Sequence, residues 1–162
     1  MTSSDRPGSA DPVIRRAREA DADAIQQLVH AAYVGYTPLL GRTPSPMLTD
    51  HAEAIRKHEV WVLEEDGRIV GVIDLVPSGD HLWVDNVAIE PARQGRGLGR
   101  RLLALAEERA RASGVDRLAL LTNERYAANI AMYERYGYVE THREPRGGSD
   151  LVHFRKALAA RG

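Results

Sequence analysis

The chain of 162 residues has no cysteine, a single phenylalanine and no long apolar run. Without cysteine, a disulfide framework, a thiolate zinc site and a cysteine nucleophile are all excluded. A membrane span needs ~18 consecutive apolar residues, and a secretory signal needs an apolar run of ~7–15 residues near the N-terminus. Neither pattern occurs, so we expect no membrane partner and a cytoplasmic location.

An excess of charge of either sign is also missing. Lys and Arg total 22, Asp and Glu total 23, and the formal net charge is −1. Because nucleic-acid-binding domains normally carry a basic excess, the composition argues against a nucleic-acid partner. Hydrophobic residues make up 43% of the chain, which suffices for an ordinary globular core. The length favours one domain, predicted over residues 13–160, after a flexible polar tail over residues 1–12.

Hydrophobic spacing and turn residues predict an α/β fold whose mixed, mostly antiparallel sheet is flanked by helices. Asp21 is the expected N-cap of the first helix, and the proline-rich segment from Gly35 to Met47 is expected to be a loop. The strands on either side of the long central helix are expected to be parallel. The predicted helices span residues 22–34, 49–58, 98–113 and 127–136. The predicted strands span residues 13–18, 60–63, 68–76, 81–89, 117–121, 138–143 and 151–157, with a turn over 145–150.

The most informative segment joins the strand that ends at Ile89 to the helix that begins near Leu98. The first amides of a helix have no internal partner and lie at the positive end of its dipole, which favours a bound phosphate. Glycines in the turn let a ligand approach the backbone closely. The segment contains Gly95, Gly97, Gly99, Arg93, Arg96, Arg100 and Arg101. It therefore predicts a site for a ligand with several phosphates.

The glycine spacing differs from the common nucleotide-binding motifs. A dinucleotide fold requires G-x-G-x-x-G and an acidic residue ~20 positions further on, whereas this chain has G-x-G-x-G. The P-loop string G-x-x-x-x-G-K-[ST] does not occur. The sequence also contains neither a G-x-S-x-G string nor an H-x-x-x-H pair, so neither a serine hydrolase nor a metal site is predicted.

Two strings resemble those of the GNAT superfamily of N-acetyltransferases. The turn Gln94-Gly95-Arg96-Gly97-Leu98-Gly99 resembles the signature Q/R-x-x-G-x-G/A, with Gln94, Gly97 and Gly99 at the matching positions. Residues 129–138 resemble the family's N-x-x-A-x-x-x-Y-x-x-x-G-F region, with a spacing that is one residue shorter. The order of the predicted elements is also similar to the family fold, and the resemblance covers roughly residues 13–157.

The resemblance implies acetyl-CoA as co-substrate, direct transfer of its acetyl group to an amine, and no metal. It implies that the pyrophosphate binds the amides of residues 94–99 and that the pantetheine arm pairs with the strand edge at residues 87–89, where the sheet opens. Asn129, with Asn123 as a second candidate, would hydrogen-bond the cofactor. The expected cofactor-binding residues are Val87, Ala88, Ile89, Gln94, Gly95, Arg96, Gly97, Leu98, Gly99, Arg100, Asn123 and Asn129.

The resemblance also implies the catalytic residues. Tyr133 is the expected general acid, because a phenol can give a proton to the departing CoA thiolate, whose thiol has a pKa of ~8.5. An alkylammonium has a pKa of ~10.4 and must lose a proton before it attacks. Asp85 is the expected base, acting through water, with His81 and His153 as alternatives, although family members can lack a dedicated base. The backbone N–H of Val87 is the expected oxyanion donor.

The family places acceptor specificity in the first two helices and the loop between them. Tyr33 and Tyr36 would line an apolar wall there, and Arg42 could hold a substrate carboxylate or be an ordinary surface arginine. We expect a small amine metabolite as acceptor. A protein N-terminus or lysine, a non-catalytic acyl-CoA-binding or sensing role, and an assembly module remain as alternatives. Homodimers are frequent in the family.

Overall fold

The computed structural model describes residues 11–159, which form one seven-stranded sheet with helices on both faces. The strands are β1 (Val13–Arg16), β2 (Glu59–Glu65), β3 (Arg68–Ser78), β4 (His81–Ile89), β5 (Arg117–Asn123), β6 (Val139–Arg146) and β7 (Ser149–Ala157). The helices are α1 (Ala22–Tyr33), α2 (Thr37–Leu40), α3 (His51–Lys57), α4 (Leu98–Ala112) and α5 (Ala127–Arg135). Most of the tail expected over residues 1–12 lies outside the described residues, as does Ala160.

The sheet order is β1-β2-β3-β4-β5-β7-β6, and only the β4–β5 pair is parallel. This confirms the predicted α/β class, the mostly antiparallel sheet and the parallel crossover through α4. None of the helices within residues 11–159 has the length and apolar character needed to cross a bilayer.

The two faces of the sheet have separate cores, because successive residues of a strand point to opposite sides. Ile73 of β3 packs in the core that contains Leu102 of α4, whereas the adjacent Val72 packs with Ile25 and Val29 of α1. Helix α4 therefore covers one face of the sheet and α1 the other.

Strand β4 carries the irregularities that position the site. Asp74 lies opposite Asn86 and Leu75 lies opposite Val84, so Asp85 is an extra residue in a β-bulge. β-Bulges bend a strand and redirect its side chains. On its other edge, β4 pairs with β5 only at Leu82 with Leu118 and Trp83 with Ala119. Beyond Trp83 the two strands separate and the sheet opens.

The prediction that Gly35 to Met47 is a loop was wrong in part. The segment contains α2 and two 3₁₀ turns, at Val34–Tyr36 and Ser45–Leu48. Pro38 and Pro46 lie in the first turn of their helical segments. A proline there loses no hydrogen bond, because the first amides of a helix have no internal acceptor, so these prolines start helices rather than break them.

Two smaller expectations were also wrong. The Asp21 side chain does not cap α1; it accepts hydrogen bonds from the backbone N–H of Arg18 and from the Arg15 guanidinium, both at 2.8 Å. The expected turn over residues 145–150 is shorter, because β6 continues through Pro145 to Arg146. β6 is an edge strand, where a proline need not donate to a ladder hydrogen bond. By contrast, Asp50 caps α3, accepting from the Glu53 N–H at 3.1 Å.

Candidate active site

The opening between β4 and β5 continues into a cavity of about 460 Å³ that leads to the glycine turn. We call it the cofactor cavity. Its walls are the end of β4, the turn and first residues of α4, one face of α5, and the end of α1 with the turn after it. The lining residues are Ala32, Tyr33, Tyr36, Val87, Ala88, Ile89, Arg93, Gln94, Gly95, Gly97, Leu98, Gly99, Arg100, Ala128, Asn129, Met132, Arg135 and Tyr136.

The backbone of the glycine turn has the conformation that a close-approaching ligand requires. Gly95 and Gly97 have φ of +82° and +79°, in the left-handed region that other residues rarely adopt. Gly97 is the N-cap of the 15-residue α4, and a Cβ built on it would meet no heavy atom within 4 Å. The turn therefore presents the N-terminal amides of a long helix to open space, which is a suitable site for phosphate.

The arginines of the turn divide into two groups. Arg93 and Arg96 are ion-paired to Glu65 of β2, at 2.6 and 3.1 Å, and Arg96 does not line the cavity. Arg100 lies over the Tyr136 ring at 5.6 Å, and neither it nor Arg135 makes an ion pair within residues 11–159. The cations available to a bound anion are therefore Arg100 and Arg135. The sequence reasoning did not identify Arg135, although it lies six residues after Asn129 on α5 and lines the same cavity.

A second cavity, of about 260 Å³, lies on the other side of Tyr33 and Val87. We call it the acceptor cavity. Tyr33 and Val87 line both cavities, so the two spaces meet at these residues. The further lining residues come from five parts of the chain and include Leu40, Arg42, Ser45, Thr49, Asp85, Asn86, Leu121, Asn123, Tyr126, Tyr133, Glu144 and Arg146.

Tyr33 is at the centre of the junction. Its hydroxyl lies 3.3 Å from the Val87 carbonyl oxygen and from Asn86 Oδ1, and it accepts from Asn129 Nδ2 at 3.3 Å. Burial raises the pKa of this hydroxyl well above its usual value, so it remains a hydrogen-bond donor. Tyr33, predicted as part of a substrate wall, thus also ties α1 to β4 and α5.

Tyr133 is 4% exposed and lines the acceptor cavity. Its ring packs against Tyr138 and Phe154, with centroids 5.7 and 6.1 Å away. Residues 11–159 provide no hydrogen-bond partner for its hydroxyl. Burial raises the pKa of Tyr133 well above the usual value, so the group is protonated at every working pH.

Asp85 is the residue of the β-bulge, and its exposed side chain lines the acceptor cavity. Its Oδ1 accepts from Trp83 Nε1 at 3.3 Å. His81 and His153, the alternatives to Asp85, line a third cavity instead, with Trp83 and Arg117. They do not line the acceptor cavity, so Asp85 is the better placed of the three.

Two other residues lie elsewhere than expected, and the side chain of a third has a partner within the protein. Tyr36 lines the cofactor cavity rather than the acceptor cavity, and its ring is tilted against that of Tyr126, with centroids 4.5 Å apart. Asn123 lines the acceptor cavity, and its amide donates to Ser149 Oγ at 2.9 Å. Gln94 lines the cofactor cavity, but its side chain donates to the Ile89 carbonyl at 3.2 Å and so fixes the end of β4.

Arg42 lines the acceptor cavity together with Arg146, which the sequence reasoning missed. The Arg42 Nη1 donates to the Gly147 carbonyl at 3.2 Å, so the α2–α3 segment touches the β6–β7 turn. Asp85 and Glu144 line the same cavity. Its rim therefore carries charges of both signs, as a zwitterionic ligand would require.

Within the described part of the chain, no group of three or more His, Asp or Glu side chains is arranged to hold a metal ion.

The model of the acetyltransferase (GNAT) family matches residues 22–138. Two characterised relatives align along most of their length. S-(2-succino)cysteine N-acetyltransferase of Bacillus subtilis is 32% identical, covering 91% of this chain and 96% of the relative. Amino-acid acetyltransferase of Mycobacterium tuberculosis is 32% identical, covering 87% of this chain and 76% of the relative.

Solved structures agree with the fold. The yncA chain of Salmonella typhimurium, solved with its cofactor acetyl-CoA, is 26% identical with a TM-score of 0.71, covering 94% of this chain and 96% of that one. The paia N-acetyltransferase of Thermoplasma acidophilum, solved with coenzyme A, is 14% identical with a TM-score of 0.77, covering 92% of this chain and 100% of that one.

Proposed function

Because the chain belongs to the acetyltransferase (GNAT) family and is an N-acetyltransferase, we propose that it transfers the acetyl group of acetyl-CoA directly to a small metabolite. The acetyl group is transferred to the nitrogen of a primary amine, and the acceptor molecule also carries a carboxylate.

This proposal rests on the observation that the two cavities meet. Tyr33 and Val87 line both the cofactor cavity and the acceptor cavity. A thioester that enters along β4 therefore reaches the amine without a carrier residue, and the reaction takes place in a ternary complex. Holding both reactants in contact supplies much of the rate enhancement in such a reaction.

The cofactor cavity fits acetyl-CoA. The amides at the start of α4, Gly97 and the cations Arg100 and Arg135 suit the pyrophosphate, and the free edge of β4 at residues 87–89 suits the amides of the pantetheine arm. The bound cofactor supplies the activated acetyl thioester. The backbone N–H of Val87 is a candidate donor to the carbonyl oxygen as it becomes negative.

Tyr133 is the proposed proton donor to the leaving sulfur. A phenol with a pKa above its usual value is a weaker acid than a CoA thiol in water, whose pKa is ~8.5. The site that raises the tyrosine pKa is equally unfavourable for a thiolate, so the sulfur becomes more basic there too. Tyr133 therefore stabilises the departing sulfur by a hydrogen bond and passes its proton as the C–S bond breaks.

The charged residues of the acceptor cavity support an acceptor that carries both an ammonium group and a carboxylate. An amino-acid-like acceptor can direct its ammonium group to Asp85, which removes a proton through water, and its carboxylate to Arg42 and Arg146. The two relatives described above act, by their names, on an amino acid and on a cysteine conjugate.

The test compares α-amino acids with their primary amides as acceptors, following CoA thiol release and normalising rates to the fraction of free amine. The proposal expects kcat/KM at least about tenfold higher for the acids, the value of one lost charged hydrogen bond. Equal rates would contradict the carboxylate assignment. Preference for peptides would favour a protein N-terminus or lysine as acceptor, and binding of acetyl-CoA without any transfer would favour an acyl-CoA sensor.

A further inference from the structure

A cluster of polar side chains, of which His51 and Asp74 are buried, lies behind the acceptor cavity, away from the proposed Tyr133 site. A narrow cavity of about 10 Å³ is lined by His51, Asp74 and Asp85 together with Thr49 and Asn86. Asp85, Asn86 and Thr49 also line the acceptor cavity, so the small cavity is continuous with it. The volume is at the lower limit of the space that one water molecule needs.

Asp74 is the innermost acid of this cluster. It is 6% exposed, and both of its carboxylate oxygens lie close to His58 Nδ1, at 3.0 and 3.2 Å. The His58 side chain is 30% exposed, so the pair connects the buried cavity with solvent. A buried carboxylate without such a partner would be strongly destabilising, so the contact with His58 stabilises Asp74 at this position.

The β-bulge brings the two acids together. Asp85 is the extra residue of β4 opposite the Asp74–Leu75 step of β3, and its side chain reaches both cavities. On the far side, His51 is 9% exposed and its Nε2 has no hydrogen-bond partner within residues 11–159. A water in the small cavity would find polar partners in His51, Asp74 and Asp85.

We propose that Asp74, held by His58, accepts through one water the proton that Asp85 takes from the acceptor amine. This inference rests on the proposed function. The ammonium N–H bond breaks and its proton moves to Asp85, which then gives it to Asp74 and returns to its carboxylate form. Asp74 later releases the proton to solvent beside the exposed edge of His58. In this scheme Asp85 faces the acceptor, and Asp74 and His58 are positioning residues that act through it.

The electrostatics are consistent with this role. Burial raises the pKa of Asp74 to about 6, the His58 hydrogen bond opposes that rise, and the charge of Asp85 adds to it. The titratable groups that face Asp74 are His58, His51 and Asp85, whereas α1 and β2 present Ile25 and Val60. Above about pH 6 Asp74 is ionised and can accept a proton; below it, the acid is already protonated.

The test measures kcat against pH for the wild type, Asp74→Asn and His58→Gln at saturating acetyl-CoA and acceptor. Two acceptors of different amine pKa are used. The part of the pH profile that reports deprotonation of the amine moves with the acceptor, whereas the part that reports Asp74, the Asp74 limb, stays at the same pH. The matched controls are Asp80→Asn and Asp80→Ala, which remove an exposed His–Asp pair at 2.9 Å on the neighbouring turn.

We expect Asp74→Asn to lower kcat about tenfold and to leave acetyl-CoA affinity unchanged. The pH profile of this variant should also lack the Asp74 limb, which does not depend on the acceptor. His58→Gln should move that limb to higher pH, because it removes the group that lowers the Asp74 pKa. The controls should match the wild type. Profiles of Asp74→Asn and His58→Gln that coincide with the wild type would overturn the proposal.

A readout that does not need turnover separates this inference from the proposed function. Carboxyl ¹³C NMR should give Asp74 a titration near pH 6 that shifts down in Asp85→Asn, whose lost charge no longer raises it. An unchanged titration overturns the coupling between the two acids. Absence of acetyl transfer by the wild type would overturn the proposed function instead.

Discussion

The cofactor cavity and the acceptor cavity differ in how their walls are distributed along the chain. Residues 87–100 supply the strand edge, the turn and the helix start of the cofactor cavity, and one face of α5 and the end of α1 with the turn after it complete it. The acceptor cavity takes its walls from the α1–α3 region, the bulge of β4, the end of β5, α5 and the β6–β7 hairpin. A short local string is therefore enough to recognise the first cavity, whereas only the folded chain assembles the second.

The cavities also differ in charge. The charged residues that line the cofactor cavity are Arg93, Arg100 and Arg135, with no acid among its lining residues. The acceptor cavity has Arg42, Arg146, Asp85 and Glu144. A ligand with several phosphates suits the first and a zwitterion suits the second. Variants should accordingly divide into those that change cofactor affinity and those that change acceptor use.

The largest expected effect is on the cofactor side. Gly97→Glu puts a carboxylate into the space in front of the α4 amides, where like charges 4 Å apart repel by about 4 kcal/mol at an effective dielectric of 20. Acetyl-CoA affinity, measured by calorimetry, should fall at least about 100-fold. Gly79→Glu is the matched control: Gly79 also has positive φ, +72°, and open space around it, but lies in the β3–β4 turn. Equal affinity of the two variants would refute the phosphate site.

A smaller effect, on turnover alone, is expected from Tyr133 in the acceptor cavity. Tyr133→Phe removes the proposed proton donor and should lower kcat about 100-fold, as for loss of a general acid, without changing acetyl-CoA affinity. Tyr138→Phe is the control, because the Tyr138 hydroxyl is also buried and lacks a partner within residues 11–159. It should leave kcat within about twofold. A Tyr133→Phe enzyme as fast as this control would remove Tyr133 from the mechanism.

The smallest effect is on acceptor binding. Arg146→Gln should raise KM about tenfold for carboxylate-bearing acceptors while the acetyl-CoA affinity stays unchanged, since only one charged contact is lost. Arg143→Gln, on the same strand but paired to Glu140 at 3.0 Å, should behave as wild type. Steady-state kinetics with an amino acid and its amide check the assignment, which fails if both acceptors are affected equally.

The sequence predicted the strand, turn and helix that line the cofactor cavity well. The strand, glycine turn and helix are consecutive, so hydrophobic period and turn chemistry define them locally. Gly97 at the start of α4 and the parallel β4–β5 pair both follow from that reasoning. The partners of individual side chains were not predicted. Arg96, for example, forms an ion pair with Glu65 of β2, which lies 31 positions earlier in the chain.

The acceptor side was predicted less well for the same reason. Prolines at 38 and 46 suggested a loop but start helical turns. Arg146 joins the cavity only because the β6–β7 hairpin folds against Arg42, which is 105 positions from Gly147. No role was predicted for Asp74, because a single aspartate in a strand does not by itself indicate a function. Only the folded chain brings the β-bulge and His58 next to it.

The most direct test of the account is the initial rate of CoA thiol release over a grid of acetyl-CoA and amino-acid acceptor concentrations. Two adjoining cavities predict release that depends on the acceptor, with reciprocal plots that intersect as in a ternary complex. Parallel plots, which indicate a covalent acetyl-enzyme, or release that ignores the acceptor would contradict direct transfer between the two cavities.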